Sequence, residues 1–128
     1  MRNKVVLHFL SGELTKGETN DFFPNKDFFH LACKDSGETL EIDLFDLKAI
    51  YFVKTFEGNP DYNERHDVER AGFGKKIQVQ FKDSESIIGY TQGFSPNRPG
   101  FFLFPADASS NNDRIFIVNS STQEIGFI

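Results

Sequence analysis

Cys33 and two of the three histidines, His8 and His30, are of the types that build a nucleophilic or metal-binding site. A Cys/His nucleophile needs thiol and imidazole within hydrogen-bond reach, and a structural metal site needs several such ligands converging. His8 and His30 could lie on adjacent strands, but the matching positions in the second half of the chain are Gln80 and Phe102, and Cys33 is matched by Pro105. No G-x-S-x-G elbow, Walker-type loop, H-E-x-x-H or C-x-x-C is present. The expectation is therefore no catalytic residue, no metal and no cofactor. Carboxylates are plentiful, yet most alternate with apolar residues, as on a solvated strand face.

What remains is a surface. Phe22–Lys26 reads FFPNK and Phe94–Arg98 reads FSPNR. Pro and Asn stand where turns favour them, and each turn ends on a cation flanked by aromatic or apolar residues. Exposed aromatics beside a cation can anchor a partner strand or stack bases. The candidate binding residues are Phe23, Asn25, Lys26, Phe28, Asn97, Arg98 and Phe102.

The elements that position these turns are written twice. Lys4–Leu31 and Lys76–Leu103 align without a gap at an offset of 72. They share Lys4/Lys76, Phe9/Phe81, Glu13/Glu85, Gly17/Gly89, Thr19/Thr91, Phe22/Phe94, Pro24/Pro96, Asn25/Asn97, Phe29/Phe101 and Leu31/Leu103. A repeat of this kind sets architecture. Val5, Leu7 and Phe9 alternate with Val6 and His8, and in the second copy only the first set stays apolar, so that set faces the core of a strand. Third strands are expected over about 27–34 and 100–105, fourth strands over 38–44 and 114–118, and fifth strands over 49–53 and 124–128. Gly17 and Gly89 read as strand bends. Gly12 is replaced by Ser84 in the second copy, which predicts a turn that needs no positive φ there. Five short strands per copy predict an all-β protein of two small barrels. The first spans residues 1–53 and the second 75–128. A polar linker, 54–74, should lie against them, with a helical turn over Asp61–Arg70.

Composition bounds the rest. The chain has 128 residues, 16 of them Phe with no Trp, and a net charge of −5. The Phe excess suits small modules that must bury much apolar area with few residues. No part of the chain is basic, which counts against nucleic acid as the main partner, because phosphate neutralisation supplies most of that affinity. With Cys33 alone, no intramolecular disulfide can form. No apolar run reaches membrane-spanning length, so a cytoplasmic setting without membrane contact is expected.

Around Gly12–Leu31 the order is a glycine, a second glycine at position 17, Phe22 and then an apolar strand. This resembles the first motif of Sm-like proteins, an SH3-type small barrel, and implies that fold. Sm proteins place an Asp and an Asn after the Phe to meet a base. Here Phe23 and Ser95 stand there, and only Asn25 and Asn97 are offered in compensation. Over nearly its whole length the chain is similar to a family of uncharacterised bacterial tandem domains. The shared features are the Pro-Asn turns, Asp46–Val53, Phe56–Pro60 and Arg98–Asn112. That resemblance implies a signalling context beside PilZ and related domains. The resulting expectation is a non-enzymatic interaction or regulatory module with a protein partner. The alternative is an Sm-like RNA or nucleotide binder.

Overall fold

The computed structural model describes residues 2–58, 62, 65, 69, 70 and 72–128. Ten strands form in chain order: β1 (Asn3–Phe9), β2 (Leu14–Thr19), β3 (Phe28–Cys33), β4 (Thr39–Asp43), β5 (Leu47–Val53), β6 (Lys75–Phe81), β7 (Ser86–Thr91), β8 (Gly100–Pro105), β9 (Asn112–Val118) and β10 (Thr122–Phe127). Single turns of 3-10 helix at Leu44–Asp46 and Asn119–Ser121 lead into β5 and β10. Asp43 caps the first of these, accepting from the Phe45 amide at 2.9 Å. No helix among the described residues is long and apolar enough to cross a membrane.

The all-β expectation holds, but the assembly differs from two separate barrels. All ten strands belong to one antiparallel sheet, ordered β10-β6-β7-β8-β9-β5-β1-β2-β3-β4. Each half runs fifth-first-second-third-fourth, and the halves meet where β5 pairs with β9, Ala49 opposite Ile117 and Phe52 opposite Arg114. The reason lies in the two strands at the join. β5 reads LKAIYFV and β9 carries IFIV, apolar on both faces, so each can serve two cores at once.

Two hydrophobic clusters result. Val5, Leu7, Phe29, Leu31, Ile42 and Ile50 pack in the first, and it takes Phe116 and Val118 from β9 of the second half. Ile77, Val79, Phe81, Phe101 and Leu103 form the second with Ile115 and Ile117, and it takes Ala49 from β5 of the first half. Lys48 ties the same join: its side chain is 10% exposed, and its ammonium reaches Asp83 at 2.7 Å and also bonds Glu85.

Gly17 and Gly89 pair in unbroken register with the first strand of their half, and what demands glycine at both is close approach. A Cβ at Gly17 would stand 2.5 Å from the Ala32 carbonyl oxygen, and one at Gly89 2.4 Å from Leu103 Cδ2. The turn after β1 does need positive φ, at 93° for Gly12, and its partner Ser84 adopts 78° despite its side chain.

His8 and His30 are not on adjacent strands, because β2 lies between β1 and β3. Among the described residues no group of three or more His, Cys, Asp or Glu is placed to hold a metal ion.

The helical turn expected over 61–70 lies largely outside the described residues. The described linker residues lie against both halves: Lys16 donates to the Phe56 carbonyl at 3.0 Å, while Tyr62 donates to Asp107, Arg70 to the Pro105 carbonyl at 2.9 Å, and Gln92 to the Gly72 carbonyl at 3.1 Å.

Candidate binding cleft

The two Pro-Asn segments fold as matching turns. The Lys26 amide donates to the Phe23 carbonyl at 3.0 Å, and the Arg98 amide to the Ser95 carbonyl at 3.2 Å. Each is tied to the 3-10 turn of its own half, Leu44 N–H to the Asp27 carbonyl and Asn119 N–H to the Pro99 carbonyl. The second turn is held further by the Asn119 side-chain amide, which donates to the Ser95 and Arg98 carbonyls at 3.1 and 2.8 Å. A turn anchored at both ends presents its side chains at small conformational cost.

The first turn makes an exposed aromatic-cation cluster. The Lys26 ammonium lies 5.3 Å from the Phe23 ring centre and 5.9 Å from that of Phe28. Both rings are nearly half exposed. Phe102, expected among exposed aromatics, is instead half-buried. It joins Phe22, Phe52 and Phe116 in a set of edge-on and tilted ring contacts with centroids 4.9–6.3 Å apart. Such pairs add to area burial, so this cluster fixes the seam between the halves.

Above the seam lies an open cleft of about 470 Å³. Its lining comes from both halves: Pro24 from the first turn, Phe94, Ser95 and Arg98 from the second, with half-buried Phe102 and Phe104 and buried Phe116 beneath. Of the sequence candidates, the structure brings Arg98 and Phe102 into this cleft. Phe23, Lys26 and Phe28 form the separate cluster next to Pro24 in sequence, and Asn25 and Asn97 are exposed at their turn tips.

Sequence reasoning missed Phe104, Phe116 and Arg114. A second cavity, of about 260 Å³, is lined by Arg114 with Asn3, Lys4, Phe52 and Asp113, and shares Phe104 with the first. The one signal available was Arg114 itself, a cation at the head of an otherwise apolar strand.

Groups with displaced acidities sit elsewhere. Burial, then the Lys48 charge, lowers the His8 pKa. Asp107 is lowered to about 2 by the hydroxyl of Tyr62 and the amides of Arg65 and Ser109. Burial opposes the charge on Lys48, but hydrogen bonds to Asp83 and Glu85 outweigh it and raise the pKa. None of these groups lines the cleft.

Fold and cleft together describe an all-β chain whose concave surface is shared by two similarly ordered halves. The chain belongs to a family of unknown function, DUF6982, whose profile matches residues 1–128. No curated protein matches the chain, and no solved structure does.

Proposed function

We propose that this protein is a non-enzymatic interaction or regulatory module that receives an extended peptide segment of a protein partner in the seam cleft. The observation carrying the reading is that turns from both halves line one apolar concavity, Pro24 from the first and Phe94, Ser95 and Arg98 from the second. A cleft of this size takes one or two large side chains, and pre-formed concavities with a few polar groups are the common form of binding site. The absence of displaced titratable groups from its lining favours recognition over chemistry.

The test is selection of a random peptide library on the wild-type protein, with counter-selection on Pro24→Glu/Arg98→Glu. Both changes fall on turns, so folding should persist. Sequences rich in aromatic residues that bind only the wild type support the reading. Failure to enrich any sequence, or equal binding to the variant, refutes it.

A second reading rests on the Phe23–Lys26–Phe28 cluster, which offers two rings and a cation to the bases of RNA. Salt separates the two. Phosphate contacts weaken steeply as salt rises, whereas an aromatic-anchored peptide responds little.

A further inference from the structure

Arg114 is the cation whose surroundings explain it least. It sits on β9 opposite Phe52, at the place that corresponds to Thr39 in the first half. Its guanidinium carbon lies 4.5 Å from the Phe52 ring centre and 4.8 Å from that of Phe102. A contact of a cation with a ring face takes up no conventional acceptor, so it leaves the N–H donors of the guanidinium unspent. Among the described residues no hydrogen bond or ion pair takes them up. Asp113, its neighbour in the chain, lines the same cavity without pairing to it. Lys4 is on the cavity wall too, its ammonium 5.9 Å from the Phe56 ring centre.

The charge around this point runs against the rest of the molecule. Arg98 lines the larger cavity, and Lys4 and Arg114 the smaller one; the only carboxylate on either wall is Asp113. In a chain of net charge −5, two cavities joined at Phe104 therefore carry a local excess of two positive charges. An arginine held by contacts with two rings is pre-organised for bidentate contact with a carboxylate.

We propose that Arg114 is the anchor for a carboxylate of an acidic peptide, whose neighbouring aromatic side chain occupies the seam cleft. The inference rests on the peptide-cleft reading and narrows it: Arg98 lines the cleft and Arg114, packed on Phe102 of the same cleft, lines the neighbouring cavity, so the ligand carries acidic residues on either side of its aromatic one.

The probes are acetyl-Glu-Phe-Glu-amide and acetyl-Gln-Phe-Gln-amide, titrated into the ¹⁵N-labelled full chain and followed by amide chemical shifts. The Glu peptide should shift the amides of Gly93, Arg98, Phe104 and Arg114 and bind about tenfold more tightly than the Gln peptide, as for a charge-assisted hydrogen bond. Arg114→Met keeps much of the apolar packing and should abolish that preference. Arg114→Lys retains the charge without the planar fork and should keep part of it, and serves also if the Met variant fails to fold. Equal binding of the two peptides at the cleft would overturn the carboxylate inference and leave the cleft reading standing. No cleft shifts with either peptide would remove both. Hexauridylate shifting Arg114 where the peptides do not would overturn the inference in favour of nucleic acid.

Discussion

Phe116 and Glu41 hold corresponding places in the fourth strands of the two halves and should behave in opposite ways. Phe116 is fully buried, on the face of β9 that packs into the first half's core, with ring contacts to Phe22 at 4.9 Å and Phe102 at 5.1 Å. Truncation to Ala removes those contacts and leaves a cavity beneath the seam. Losses of this kind cost about 3–5 kcal/mol. Glu41 is exposed on the outer face of β4, opposite His30, and its truncation should cost less than about 1 kcal/mol. Urea titration followed by far-ultraviolet circular dichroism would measure both. Because the halves share cores, wild type and Phe116→Ala should each unfold in a single transition, with the variant's midpoint well below that of Glu41→Ala. A cost under about 1 kcal/mol for Phe116→Ala, or two separate transitions in the wild type, would refute the shared-core argument.

Gly89→Ala should destabilise by about 1–3 kcal/mol, since the added Cβ meets Leu103 and the Phe104 carbonyl; Gly93→Ala, with open space at its Cβ position, is the control, and equal melting temperatures would show that close approach is not the constraint. Ser84→Gly should raise stability by up to about 1 kcal/mol by relieving its positive φ, and a lower melting temperature would contradict this. Burial and Lys48 depress the folded-state pKa of His8 below 6.5, so its neutral form contributes stability that is full above pH 6.5 and lost as pH falls. Melting temperature should therefore fall less between pH 7.5 and 5.5 in His8→Gln than in wild type, and parallel curves would count against it. Asp107, lowered to about 2 from 3.8, contributes stability present above about pH 4 and lost toward pH 2; Asp107→Asn should flatten acid unfolding over that window, and an unchanged profile would discount the Tyr62 contact.

The strands were legible because alternation is local. Val5 and Leu7 are fully buried, as their persistence in the second copy as Ile77 and Val79 implied. Strand boundaries also fell close to those observed, since Pro, Gly and Asn mark the turns. How the halves join was not legible, because it depends on the pairing of β5 with β9, about sixty residues apart. The clue was present as composition: IFIV and AIYFV lack the alternation of TLEID in β4 and QEIG in β10. The candidate turns were found for the right physical reason, namely that Pro and Asn shape them. That they converge on one cleft depends on the seam, so Phe104, Phe116 and Arg114 could not be assigned to it. The positive φ at Ser84 escaped notice because serine at that place argues for ordinary backbone; the shared turn geometry overrides its preference.

The halves join head to tail, a fifth strand laid on a fourth, and this leaves one fourth strand, β4, and one fifth strand, β10, as the free edges. Backbone geometry alone would let the same step repeat, adding chain after chain into a filament. Side chains block it. Glu41 and Asp43 stand where the internal join has Phe116 and Val118, and Glu124 stands where it has Ala49. A further copy would bury carboxylates against Ile125 and Phe127, at a desolvation cost that a strand pair does not recover. Acidic side chains at both edges thus disfavour the addition of a further copy, and Glu41→Phe with Asp43→Val should favour it, read as a rise in mass by sedimentation; an unchanged mass would contradict this.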